Sequence, residues 1–424
     1  KLLYTLMMLV VIRIGSLLPI PGVDTEYFST LLSGFNSGDL SYLSAFTGGS
    51  FEKMSLFALS ITPYITSSII MQLLTIAIPK LEEMQKEGED GRKKIASITR
   101  YVTIALALIE SIAMAVGFGR QGLIKDYKDM STIHYVTCII VVVAALTAGS
   151  AVLMWIGERI TEKGVGNGIS IVLLINIISG MPSDFVTLYS TFVANKSIAR
   201  GVTVAVIIAA IVIAVVVLVV ILQDGERRIP VQYSQKVAGR KTIGGQATNI
   251  PLKVNTAGVM PIIFASSIMQ FPVIIVQLFT SNSYEWTKYL SQSYWCRVQM
   301  PKYSIGLLLY IILVVVFAYF YTSITFNPVQ IADNLKKAGG VVPGITPGRS
   351  TSEYLNKILN YIVFIGAVGL MIVALIPIMC TGFFNASVSF GGTSIIIIVG
   401  VVLETMKQIE SMMVNRNYRG FLSE

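Results

Sequence analysis

The sequence predicts an all-α polytopic membrane protein: ten transmembrane helices in two inverted, pseudo-symmetric halves of five, plus a short re-entrant helix. Three observations carry this reading. Hydrophobic residues make up 54% of the 424 positions and charged residues only 13%, with a mean hydropathy of +0.72. Soluble domains carry about 25% charged residues. Apolar runs near 20 residues recur along the chain, the length a ~30 Å hydrocarbon core requires. Strands of a membrane barrel would instead alternate over about 10 residues. Lys and Arg also concentrate in alternate loops, as multi-pass topology demands.

The spans are expected near 2–19, 56–78, 95–118, 132–156, 168–188, 201–223, 256–280, 304–325, 358–380 and 392–413. Lys1 stands where an initiator methionine would, which predicts that residues preceding it are missing. The first run contains Arg13, continues to Pro19 and has no small-residue cleavage site, so it reads as a span and not as a cleavable signal peptide. Within 20–55 lies a mildly apolar stretch, Leu40 to Met54 (LSYLSAFTGGSFEKM). It is too short to span and too apolar for an ordinary loop. A re-entrant or pore-capping helix buried against protein fits it. The second span is broken by Pro63, and the fifth starts from the cluster Gly164, Gly166, Gly168. The stretch Gly239 to Ser267, GRKTIGGQATNIPLKVNTAGVMPIIFASS, feeds a basic, Gly-rich loop into the seventh span past Pro251, Asn255 and Pro261. Polar and helix-breaking residues persist at membrane depth mainly where they face protein or a water-filled path. That span is therefore read as a working span and not an anchor.

With the amino terminus in the cytoplasm, the inner loops carry about twice the Lys and Arg of the outer ones, so both termini are placed in the cytoplasm. Two inner loops, 224–255 and 326–357, are far longer than adjacent helices need. Their basic clusters (Arg227-Arg228 with Arg240-Lys241; Lys336-Lys337 with Arg349) suit a docking surface for an acidic or large partner. The spans divide five and five at the outer loop 181–199. An odd number per half inverts the second half, which suits a pseudo-two-fold repeat with a pathway between halves 1–190 and 191–424.

No catalytic residues, metal site or cofactor are expected. Cys138, Cys296 and Cys380 lack metal-ligand spacing, and His134 reads as a surface residue just ahead of a span. The turn KGVGNGIS lies between two spans, whereas a nucleotide loop follows a strand. Ionisable groups inside spans are few: Arg13, Arg100 and Glu110, with Glu404 and Lys407 near the end of the tenth. Ion-coupled transporters usually place several near the midplane, so that class is disfavoured.

The chain resembles the SecY family, the central subunits of bacterial protein-conducting channels. The likeness runs essentially end to end through RIGSLLPIPGVD (13–24), FALSITPYITSSIIMQLL (57–74), GERITEKGVGNGIS (157–170), the 239–267 stretch, FNPVQIADNLKKAGGVVPGI (326–345) and FGGTS (390–394). The resemblance implies an hourglass channel that passes unfolded secretory polypeptides across the cytoplasmic membrane and releases hydrophobic segments sideways into lipid. It implies an apolar pore ring of Ile61, Ile65, Ile169, Leu173, Ile263 and Ile397, a lateral-gate cluster of Gln72, Glu110 and Asn255, and a plug helix near 40–54. It also implies docking through Arg240, Lys241, Lys336, Lys337 and Arg349. The expected partners are the SecE and SecG subunits, the SecA motor ATPase, the ribosome (through its RNA phosphates), signal sequences and nascent chains, and membrane lipid. Energy comes from the motor or the ribosome, the channel itself being passive and not an enzyme. One departure stands out. The family's PGIRPG turn reads PGITPG here, with Thr346 in place of arginine and Arg349 three residues on.

Overall fold

The computed structural model describes every residue except 35–46, 120–122, 125–130, 191–197, 234–235, 239–240, 244–246, 280–283, 297–299, 385–391 and 421–424. An apolar helix occupies each of the ten expected span positions. In chain order the helices are α1 (Leu2–Leu17), α2 (Thr25–Gly34), α3 (Thr62–Ala77), α4 (Pro79–Lys86), α5 (Glu89–Phe118), α6 (Thr132–Lys163), α7 (Gly168–Leu188), α8 (Ile198–Asp224), α9 (Met260–Phe279), α10 (Glu285–Leu290), α11 (Ile305–Thr325), α12 (Pro328–Lys337), α13 (Arg349–Phe384) and α14 (Gly392–Gly420). By length and composition, five described helical stretches are able to cross a bilayer, or six if α3 and the helix after it count as one bent span. Leu2–Leu17, Gly168–Pro182 and Met260–Val273 are shorter apolar helices.

Proline acts differently from the sequence reading. Pro63 sits in the first turn of α3, and Pro261 is the second residue of α9. A proline there loses no intrahelical bond and is preset for the helix, so each opens its span and breaks nothing. Pro251 lies outside the seventh span altogether, in a strand. The real discontinuity of the second span is its far end, where α3 and the following helix diverge by 106° at Ile78. The third, fourth and ninth helices exceed their expected spans, because polar turns such as Glu89-Asp90 continue the helix past the apolar window.

The chain divides into two compact units: Lys1–Val206 with Ser267–Gly306 and Ile378–Glu424, and Ile207–Ser266 with Leu307–Pro377. In the first, α5 packs against α3 and α6, and α7 against α6 and α14. Small polar residues join these helices at depth. Ser67 Oγ and Thr103 Oγ1 are 2.5 Å apart, and Thr147 Oγ1 donates to Ser111 Oγ at 3.1 Å. Arg100 pairs with Glu158 at 2.7 Å across α5 and α6.

In the second unit the two long loops fold into one body, which the sequence reading left as irregular connections. β1 (Glu226–Tyr233) is central, with β4 (Ala247–Lys253) and β5 (Gly340–Val341) antiparallel on either side. A separate ribbon pairs β2 (Lys236–Ala238) with β3 (Lys241–Ile243). β1 alternates, burying Ile229 and Val231 while Arg228, Pro230 and Gln232 face out. Pro230 is tolerated because β5 pairs only with Gln232 and Tyr233, leaving that side of the strand open. Beneath the sheet Ile229, Val231, Leu252, Leu335, Val342, Leu355, Ile358 and Ile362 form one core. Asn327 caps α12 by accepting from the amides of Val329 and Gln330, with Pro328 at the first helical position.

Candidate functional site

The site is built around α7. Asn167 caps it, its side chain accepting from the amide of Ile169. The glycine elbow before it is tied to three other helices: Val165 N–H donates to Thr5 Oγ1 of α1, Gly166 N–H to Gln408 Oε1 of α14, and Gly168 N–H to Thr161 Oγ1 of α6. Ile169, Leu173 and Asn176 then follow at i, i+4 and i+7 on one face.

Across from that face lies irregular backbone, residues 47–61. It runs through positive φ at Gly48 (62°), Gly49 (78°), Met54 (42°) and Ser60 (53°), a path only partly open to L side chains. Many of its backbone groups are nonetheless satisfied. Met54 N–H reaches Phe51 O and Ser55 N–H reaches Ser50 O, while Leu56 N–H donates to Leu18 O and Ile20 N–H to Met54 O. Non-helical backbone survives at membrane depth only when buried in protein this way. Phe51 anchors the segment through edge-on contacts with Phe28 (5.9 Å) and Phe118 (6.4 Å), inside a core that includes Ile20, Met54, Met114 and Leu146. Polar ties then fasten it to α7: Asn176 Nδ2 donates to Ser60 Oγ at 2.9 Å, and Ser179 Oγ reaches both Gly48 O and Asn176 O. A side chain at position 48 would collide with Asn176 and Ser179, so glycine is required there by space as well as by φ.

Of the expected ring residues, Ile61, Ile65, Leu173 and Ile397 are buried and Ile169 is half-buried in the first unit, and Ile263 is buried in the second. Ile61 and Ile169 both lie against Gly157 of α6: a Cβ there would lie 3.6 Å from Ile61 Cδ1 and 3.4 Å from Ile169 Cγ1. The gate residues are placed less closely. Gln72 and Glu110 lie on opposite sides of the Ser67–Thr103 contact between antiparallel α3 and α5, roughly 18 Å apart along the helices. The Gln72 side-chain oxygen is buried without a hydrogen-bond partner, and Asn255 turns back to donate to Gly258 O at 3.0 Å. The polar group the structure does assemble on α3 and α5 is Ser67 with Thr99 and Thr103.

Among the docking candidates, Arg240 lies outside the described residues and Lys241 is in β3. Lys336 and Lys337 end α12, both exposed, and the Lys336 stem lies beside Gly348 of the PGITPG turn. Arg349 is 92% exposed and pairs with Glu353 at 2.9 Å along its own helix. Thr346 stays within the turn, bonding Ser350 Oγ at 2.9 Å and accepting at its carbonyl from Thr351. Of the plug stretch, 40–46 lies outside the described residues, and 47–54 is the segment seated on α7.

Sequence reasoning missed Ser60, Asn176 and Ser179 as site residues, and singled out Arg13 only as an ionisable group in a span. The available signal was Asn176, an amide inside an apolar helix that needs a partner at depth.

Fold and site together define a multi-pass α-helical membrane protein that buries irregular, hydrogen-bonded backbone among its spans, the architecture of a conduit and not of an anchor. The SecY family model matches residues 55–406. A protein translocase subunit SecY from Streptomyces galbus is 42% identical over 437 residues, covering 100% of this chain and 96% of that protein. A solved protein-conducting channel superimposes with a TM-score of 0.61 at 18% identity, over 97% of this chain and 92% of that one. Sec61 from a canine ribosome–channel complex gives 0.58 at 17%, over 97% and 92%. At those identities the structures speak for the fold alone. The chain belongs to the SecY family.

Proposed function

We propose that this chain is the protein-conducting subunit of a translocase, passing unfolded secretory polypeptides across the membrane and releasing hydrophobic segments laterally into lipid. Family membership over the full chain carries the reading. The seat of residues 47–61 against α7 supports it, since a conduit for chains must be stoppered when idle. Ile61, Ile65, Ile169, Leu173, Ile263 and Ile397 form the apolar constriction, which resists water and ions by dewetting yet yields to a passing chain. The approach of Ile61 and Ile169 to the same glycine, Gly157, supports two of the six. Gln72, Glu110 and Asn255 line the lateral gate between halves 1–190 and 191–424; the separation of Gln72 and Glu110 along α3 and α5 calls for those helices to move if the two are ever to share bonds.

The channel is passive. SecA or the ribosome supplies the energy, docking on Arg240, Lys241, Lys336, Lys337 and Arg349, and SecE and SecG complete the complex. The two long loops forming one body gives such partners a single folded surface to grip, and the canine relative was solved with a ribosome. The membrane is the bacterial cytoplasmic membrane, with both termini inside, as the loop charges favour.

Liposomes carrying the chain with SecE, supplied with SecA and ATP, test this. Import of a signal-bearing precursor into a protease-protected lumen is expected. Uptake of a small solute with no import of precursor would overturn the reading.

A further inference from the structure

Arg13 has no part in the function just described. It sits about three-quarters of the way along the apolar helix α1, where a guanidinium is costly unless it finds acceptors. It finds them in two separate elements: Arg13 Nη1 donates to Ser179 Oγ of α7 at 3.0 Å and to Gly48 O of the seated segment at 3.4 Å. Ser179 itself donates toward Gly48 O, so Arg13, Ser179 and Gly48 close a three-membered network at the point where segment 47–61 meets α7. Around it the segment is also held by the phenylalanine cluster, by backbone bonds to Leu18 and Ile20, and by the neutral Asn176–Ser60 bond. Arg13 is therefore the charged clamp of the seat. The neighbouring turn residue Ser50 is buried at 1% exposure with an unpartnered hydroxyl, so it offers no competing hold.

We propose that Arg13 is the positioning residue that latches segment 47–61 onto the pore-lining helix, setting how often the seal opens. The latch is reversible for a physical reason. When the segment leaves, the guanidinium loses a carbonyl acceptor but enters a watered path, and hydration replaces the lost bond. A neutral side chain would give up the bond when seated and gain nothing when released. Arginine thus holds the closed state without making the open state prohibitive. The proposal rests on the channel reading for its consequence, though the latch itself is a statement about the seat.

The test uses the SecE-bound complex in liposomes, with Cys138, Cys296 and Cys380 replaced by serine and Ser50→Cys introduced. Ser50→Cys reports departure of the segment through its labelling by a membrane-impermeant maleimide. With Arg13→Gln, labelling is expected to accelerate about tenfold or more, the factor 1.4 kcal/mol corresponds to when charge-assisted bonds are lost. Arg13→Lys, which keeps the charge but not the fork, should fall between; Ser179→Ala should give a smaller rise. Ion leak across planar bilayers should increase in the same order. Equal labelling in wild type and Arg13→Gln, with both complexes monodisperse and equally heat-stable, would overturn the latch. Faster labelling without any leak would uphold the latch and overturn its role in setting the seal. If Arg13→Gln fails to assemble, the Lys and Ser179→Ala variants decide by the same labelling order.

Discussion

The seat of residues 47–61 and the loop body of 226–253 and 328–362 solve one problem under different solvents. Both are irregular-looking stretches between spans. The loop body satisfies its backbone with a strand ladder and hides aliphatic side chains under it, leaving charged residues such as Arg227 and Lys336 in water. The seat has no ladder. Its carbonyls and amides find turns and the backbone of Leu18 and Ile20, Gly48 O also meets Ser179 and Arg13, and Ser60 Oγ accepts from Asn176. The difference teaches what each can do. A ladder-and-core body is lost only by unfolding, whereas the turn at Gly48, held on α7 by side-chain bonds, can leave and return while backbone bonds to Leu18 and Ile20 keep the rest of the segment in place.

The comparison breaks most severely at the apolar ring proposed above. Ile65→Asn combined with Ile263→Asn should raise resting ion conductance in planar bilayers at least tenfold, because polar atoms wet a gap that apolar ones keep dry; an unchanged conductance would remove both positions from the ring. Next comes the loop body. Leu355→Ala, at a fully buried core position, should destabilise it by about 2–5 kcal/mol. Hydrogen exchange of the β1 amides would show it, while Ser50→Cys labelling at the seat should stay put. Asn176→Ala works the other way: loss of the Ser60 bond, about 0.5–1.5 kcal/mol for one hydrogen bond, should speed that labelling and leave β1 exchange unchanged. Asn327→Ala removes the α12 cap for about 1 kcal/mol, confined again to the loop body. The smallest effect is chemical. Burial pushes the Cys296 thiol upward, so less thiolate is present at a given pH; alkylation there should lag behind a free model thiol at pH 8 and gain on it as pH rises.

The spans were legible because twenty apolar residues in a row announce themselves whatever their neighbours. Pro63 and Pro261 misled, since a proline at the first turn and one at mid-helix look alike until the helix start is known. The strands escaped notice for a related reason. Ile229 and Val231 alternate over one short stretch interrupted by Pro230, too little signal against a charged background. Ring residues could be named only through the family motifs, because an isoleucine facing a pore and one facing lipid are the same letter. Ser60, Asn176 and Ser179 acquire meaning only once α7 and segment 47–61 are side by side, 116 residues separating Asn176 from Ser60.

One further consequence follows from the glycine elbow at 164–168. Its amides are spoken for by side chains of α1, α6 and α14, and a methyl group at Gly168 would strike the backbone of Gly157. Four helices are thereby riveted at one joint, so the first turn of α7 behaves as a fixed fulcrum. Widening near Ile169 and Leu173 must then come from α7 swinging about that joint or from other helices moving past it, with the far end of α7 travelling most. A probe at Ser179 should accordingly report opening with greater amplitude than one at Ile169.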